Sequence, residues 1–417
     1  MNRFALFLLV LAFAPTQARA AAPAIDPAGL PGPIVLVGGR ELPADARTAF
    51  FDLAGKEKAK IVVIPTAIAT ADDPKTTGPL VKEWEELKPA SVVLLHTRDP
   101  KKANDPDFVK PLANATGVWF ANGHTDRILN AYRGTLFEKE LRKLHARGGV
   151  IGCAGGGAGA MGSLAFSGGA KEPVAALNFL PGFLIDNKER LAAAVESKAG
   201  SVGIHLPEGA AVVIRGRVAR VIGEKAITVV VAKGAGKMAV SDEYNAGSLL
   251  DLVQLRRAAA NRAAKAPFPP AKPPVPEVVK GTLFIIGGGG STPEMWERFI
   301  KASGGPDALI VVIPTAMDDP LGPVSGEERV LKKYGAKNVK TLHTRDPRKA
   351  NDPKFSEMLT KAGGVWFGGG RQWRFVDAYA GTLTEKRFHE VLDRGGAIGG
   401  SSAGASIQSE YMPRGHP

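Results

Sequence analysis

Short apolar runs that end in glycine or proline recur along this chain. GPIVLVGG at 32–39, KIVVIPTA at 60–67, SVVLLHT at 91–97 and GVWF at 117–120 come first. GTLFIIGGGG at 281–290, LIVVIPTA at 309–316, NVKTLHT at 338–344 and a second GVWF at 364–367 follow. Runs without polar interruption suit strands covered on both faces, and the segments between them carry the helical period. The pattern predicts an α/β fold with three layers and a mostly parallel sheet. Ligands in such folds bind beyond the carboxyl ends of the strands, so the glycine clusters there are candidate site loops.

The two sets of runs are a repeat. LHTRDPKKANDPDF at 95–108 returns as LHTRDPRKANDPKF at 342–355, and RGGVIG at 147–152 as RGGAIG at 394–399, both at an offset of 247. A period this long marks a duplicated domain, each copy able to fold alone. The reading is a first domain over 21–235, a helix plus proline-rich linker over 236–280, and a second domain over 281–417. In the linker, Ser248 caps a helix through residues 249–265 and APFPPAKPPVPEVV supplies the stiff segment. The second copy stops shortly after the equivalent of residue 170, so the expectation is tandem domains whose second copy is C-terminally incomplete.

Composition narrows the class. The chain has 417 residues, 44% hydrophobic and 23% charged, with a formal net charge of +13. These values exclude a disordered chain, and 50 Gly with 31 Pro in no G-X-Y period exclude collagen. Basic residues are spread along both copies rather than gathered with aromatics, which argues against nucleic acid. The charge suits an acidic polymer or an anionic surface. One cysteine, Cys153, excludes an intramolecular disulfide. Residues 1–20 read as a signal peptide: Arg3, an apolar stretch from Phe4 to Ala14, then Ala18-Arg19-Ala20 as cleavage signal. The stretch is too short to span a membrane, so an exported protein, periplasmic or extracellular, is expected.

The chemistry centres on Gly400-Ser401-Ser402-Ala403-Gly404, a G-x-S-x-G between an apolar strand and a helical segment. Such an elbow lifts a serine hydroxyl clear of the sheet edge, with the helix N-terminus and the next amide placed for an oxyanion. With Gly-Gly-Arg-Gln at 369–372 upstream and FLPGFLID at 179–186 in the first copy, the chain resembles peptidase family S51, which includes cyanophycinase and aspartyl dipeptidases. The resemblance covers nearly the whole chain after the leader and implies a class I glutamine-amidotransferase-like fold. It implies Ser402 as nucleophile, Gln372 as a substrate contact, and an oxyanion surrounded by amides near Gly369, Gly370 and Ala403. The implied reaction is hydrolysis of peptide or isopeptide bonds at aspartyl residues of a peptide or aspartyl polymer, with no metal or other cofactor.

Departures from that family qualify both copies. In the first, the elbow reads Gly155-Gly156-Gly157-Ala158-Gly159, which places Gly157 where Ser402 stands; Thr125 replaces Gln372, and Lys188 falls where the family has its base histidine. The first copy is expected to be inactive. In the second, only the residues after Ser402 up to 417 remain, and the base and its acidic partner are expected on a longer chain. His343 has a twin in His96, which points to a structural role; His389 lies on a helical stretch and His416 near the end. Cys153 reads as a buried thiol opposite Gly400. The LHTRDP and ANDP segments, with Arg345, Asp346, Lys349 and Asp352, read as turns and caps in preference to a polar groove. Trp366 has a twin in Trp119 and reads as core, whereas Trp373, with Asp126 opposite, is a candidate ligand contact. No metal spacing and no dinucleotide fingerprint is present. Two classes stand: a serine peptidase acting through Ser402, or a non-catalytic binding or scaffold protein descended from one, with the two copies or two chains able to pair.

Overall fold

The computed structural model describes residues 29–409, apart from 171, 199, 233, 235–237, 265–277, 279, 289, 319–321, 323 and 324. The expected leader, most of the proline-rich linker and His416 lie outside the described residues. The chain forms two units, Met1–Ala271 and Lys272–Pro417.

In unit 1 the strands are β1 (Ile34–Val37), β2 (Lys60–Ile64), β3 (Ser91–Leu94), β4 (Gly117–Phe120), β5 (Val150–Ala154), β6 (Leu164–Ala165), β7 (Val174–Ala175), β8 (Phe183–Ile185), β9 (Val202–His205), β10 (Ala210–Arg215), β11 (Val218–Gly223), β12 (Ile227–Ala232), β13 (Ala239–Tyr244) and β14 (Leu249–Asp251). The main sheet has the order β14-β11-β10-β1-β5-β4-β2-β3. Its β1, β5, β4, β2 and β3 run parallel, and β10, β11 and β14 extend it antiparallel. A second sheet has the order β13-β12-β9-β8.

Unit 2 contributes β15 (Thr282–Ile286), β16 (Ile310–Ile313), β17 (Val339–Thr341), β18 (Gly364–Phe367) and β19 (Ala397–Ser401). They form one parallel sheet, β15-β19-β18-β16-β17, the same order as β1-β5-β4-β2-β3.

Both sheets are covered on two faces, and the alternation of side chains along each strand shows why. Leu36, Val62, Ile64, Val118 and Phe120 enter one core of unit 1, while Val35, Ile61, Val63 and Trp119 enter another on the opposite face with Phe50 and Trp84. Unit 2 repeats this with Val311, Val365 and Phe367 on one side and Val312 and Trp366, against Phe299, on the other. A period of two with both phases apolar requires helices on both faces, which makes three layers. Trp119 and Trp366 are core residues, as their twinning suggested.

The repeated polar segments build loops. Asp105 and Asp346 cap the helices Pro106–Asn114 and Pro347–Ala350, each with proline at the first position. Asn104 and Asn351 each accept the amide at the start of a later helix, Leu136 and Leu383, at 2.9 Å. Arg98 and Arg345 hold the loop after β2 and β16 through its carbonyls.

The boundary between domains falls later than expected. Residues 239–264, read as linker, belong to unit 1: β13 pairs with β12 and β14 with β11. The helix expected to start after Ser248 begins at Leu252 and ends at Ala264, because Leu249–Asp251 first extends the sheet and buries Leu250.

Candidate active site

Ser402 follows the last residue of β19, and its amide donates to the carbonyl of Ile286 at the end of β15, 3.1 Å away. The residue is exposed and has φ 51° and ψ −113°. A side chain in this conformation is strained, as expected of a nucleophile elbow. Both glycines of the G-x-S-x-G are needed here: a Cβ on Gly400 would meet the Gly404 carbonyl oxygen at 2.3 Å, and one on Gly404 the Phe367 oxygen at 2.0 Å. The tight turn thus rests on backbone packed against backbone.

The expected oxyanion donors gather around this turn. Gly369 lies beside Ser402, since a Cβ there would stand 3.8 Å from the serine Cβ. Gly370 has φ 128° and packs against the Ala316 carbonyl, where a Cβ would come within 2.3 Å. The amides of Gly369, Gly370 and Ala403 donate to no acceptor among the described residues. Gln372 precedes the helix Trp373–Tyr379, which places it one turn from the glycine loop. The Trp373 ring packs against the Arg374 guanidinium, 5.3 Å from its centroid.

Charges of both signs flank the glycine loop: Glu327 stands against Gly368, where a Cβ would meet its Oε1 at 2.9 Å, and arginines surround Asp318. Arg374 bonds to the Asp318 carboxylate, and that hydrogen bond, with smaller contributions from Arg371 and Arg345, holds the Asp318 carboxyl below its ordinary range. Among the described residues no hydrogen bond reaches the Ser402 hydroxyl. His343 is engaged elsewhere: its Nδ1 pairs with the Thr315 hydroxyl at 2.9 Å, and Thr315 with Tyr379 at 2.8 Å. His96, Thr66 and Tyr132 repeat this network in unit 1. Burial pushes both tyrosine hydroxyls up to about 12, as befits internal struts. His389 lines an apolar groove of about 520 Å³ with Phe367, Phe375 and Phe388. No group of residues suited to a metal ion occurs among the described residues.

Unit 1 repeats the turn without its chemistry. The counterpart of Ser402 is Gly155, not Gly157: Gly155 has φ 48° and ψ −115°, and it follows β5 as Ser402 follows β19. The sequence register slid by two because glycines fill the whole elbow, whereas the offset of 247 that pairs Cys153 with Gly400 is the one the fold keeps. Cys153 itself is buried and its thiol is pushed up by that burial, as expected for a structural thiol. A feature missed in the sequence is Asn122, the counterpart of Gly369. Its Oδ1 accepts the amide of Gly156 at 3.3 Å, and a Cβ on Gly155 would lie 1.8 Å from that oxygen. The carboxamide therefore fills the space of the serine side chain and occupies the amide equivalent to Ala403. Thr125 bonds to the Gly156 carbonyl, and Lys188 reaches toward Glu243 at 3.9 Å.

Comparison with known proteins gives the family. The sequence model described as "Peptidase family S51" matches residues 34–222 and 283–415. A cyanophycinase from Geminocystis herdmanii is 30% identical over 142 residues, 33% of this chain and 52% of that protein. A cyanophycinase from a Nostoc species is 27% identical over 145 residues, 33% of this chain and 47% of that protein. The chain thus spans about half the length of the curated relatives it matches. Among solved structures, a peptidase from an acI-B1 actinobacterium aligns at 16% identity with a TM-score of 0.45, covering 54% of this chain and 98% of that one.

Proposed function

Because the chain belongs to peptidase family S51, we propose that it is a serine-type peptidase whose nucleophile is Ser402. The observation that carries this reading is the strained, exposed serine at the end of β19 beside three amides that find no acceptor in the described protein. In the proposed reaction the Ser402 hydroxyl attacks a carbonyl carbon and gives its proton to a base outside the described residues, and the amides of Gly369, Gly370 and Ala403 receive the charge on the carbonyl oxygen. The C–N bond breaks as the amine takes up that proton, and water then releases the acyl group from Ser402 as a carboxylate. Gln372 and Trp373 contact the substrate. The arginines around Asp318 favour a substrate carboxylate near the scissile bond, which supports peptide or isopeptide bonds at aspartyl residues. Export through the N-terminal signal, to the periplasm or beyond the cell, is part of the same proposal.

The test is hydrolysis of aspartyl and isoaspartyl dipeptides by the exported protein, with Ser402→Ala as the partner. Loss of the nucleophile is expected to lower the rate by at least about 10³-fold. A Ser402→Ala protein that hydrolyses as fast as its parent overturns the proposal. For unit 1 a second reading is favoured by Gly155 and Asn122: a non-catalytic binding module retained beside the catalytic one.

A further inference from the structure

We propose that the cleft of unit 1 is a non-hydrolytic binding site for a small ligand with excess positive charge, a basic α-amino acid. The inference does not depend on Ser402 being a nucleophile. The cleft is a cavity of about 350 Å³ beyond the carboxyl ends of the unit 1 strands, floored by Gly155 and Gly156. That volume lies at the small end of the range for ligand pockets. Its acyl-transfer chemistry is gone, since position 155 has no side chain and Asn122 occupies the adjacent amide.

What remains is a set of ionisable side chains that the fold itself does not use fully. Asp126 makes no hydrogen bond or ion pair among the described residues, and its Oδ1 is entirely buried without a partner. His205 donates from Nδ1 to the Asp186 carbonyl at 3.1 Å, which leaves its Nε2 unengaged among the described residues. Asp186 stands 3.8 Å from Arg190 and accepts the Asn187 amide at 2.7 Å. Arg190 is fixed by the Gly168 carbonyl at 2.9 Å and packs on the Phe166 ring. Burial raises the Asp186 carboxyl above its ordinary range, against the opposing pull of the Asn187 amide, Arg190 and His205.

A buried carboxylate oxygen without a partner, as Asp126 Oδ1 is here, is rare in folded proteins and calls for an explanation. A cation supplied from outside is one. Two carboxylates, one guanidinium and the imidazoles of His124 and His205 line the cavity; with the imidazoles neutral, the complementary ligand carries two cationic groups and one carboxylate. An α-ammonium and its carboxylate would lie across Asp186 and Arg190, with the side-chain cation against Asp126. Unit 2 has Trp373 where unit 1 has Asp126, so this charge pattern is a property of unit 1 alone.

Isothermal titration of the full chain with L-lysine and L-arginine tests the proposal, with L-alanine and L-aspartate as comparisons. The expected result is saturable one-site binding of a basic amino acid, at least tenfold weaker with alanine and absent with aspartate. Asp126→Asn, which preserves shape, is expected to weaken that binding at least tenfold, and Asp126→Trp to abolish it. No saturable heat from either basic amino acid up to about 10 mM, the weak limit of specific recognition, overturns the proposal. So does binding that Asp126→Asn leaves unchanged, or alanine binding as tightly as lysine.

Discussion

Replacing Ser402 by glycine is expected to stabilise unit 2, and comparison with alanine isolates the reason. At φ 51° and ψ −113° a residue with a Cβ carries backbone strain of about 1–3 kcal/mol. Glycine relieves it but gains freedom in the unfolded chain, which costs about 0.5–1 kcal/mol. Ser402→Gly is therefore expected to exceed Ser402→Ala in stability by about 1 kcal/mol. Both variants lack the hydroxyl, so the difference reports the backbone alone. In an unstrained element the sign is opposite, with alanine the more stable. Urea unfolding of the full chain, followed by tryptophan fluorescence, reads the effect as a midpoint shift of about 0.3–1 M. A Ser402→Gly midpoint at or below that of Ser402→Ala would refute the claim that the elbow stores strain.

Other outcomes follow from the same geometry. Gly404→Ala is expected to cost unit 2 about 2–3 kcal/mol, because its Cβ would lie 2.0 Å from the Phe367 oxygen; thermal unfolding reads this. Gly155→Ser is expected to destabilise unit 1 through the clash with Asn122, and adding Asn122→Gly to recover about 1–3 kcal/mol in a double-mutant cycle. Tyr379→Phe is expected to cost about 1–2 kcal/mol in urea, since it removes the hydroxyl bonded to Thr315. His145, 4% exposed, has its pKa lowered to about 4, chiefly by burial. Below pH 6.5 the unfolded chain takes up a proton that the folded chain refuses. Stability is then full above about 6.5 and falls toward pH 4 by up to about 3 kcal/mol. His145→Leu is expected to flatten that slope in urea titrations across pH 4.5–8.

The parallel strands and the layers of both units were legible because each core strand is an unbroken apolar run and the two copies confirm one another. The antiparallel strands β10, β11 and β14 and the second sheet of unit 1 were not read, because they have no twin in the second copy. The polar repeats also read correctly as turns and caps, since Asp-Pro and Asn-Asp-Pro fix local geometry wherever they occur. What failed was long-range. Leu249–Asp251 has no local feature that separates it from the helix after it; only pairing with β11 makes it a strand. The slip from Gly155 to Gly157 arose in a stretch of consecutive glycines, where no side chain marks the register. Asn122 filling the place of a serine side chain is a contact across two strand ends. Its signal was present all the same: at the offset of 247 it stands opposite Gly369, the only large-for-small exchange in that loop.

The central claim is that Ser402 is a nucleophile poised on an elbow. Treating the full chain with a fluorophosphonate probe and locating the adduct by peptide mass tests it most directly. The account predicts one adduct, on Ser402, absent from Ser402→Ala and never on unit 1. A folded protein that takes up no probe at Ser402, or labels equally after Ser402→Ala, would contradict it.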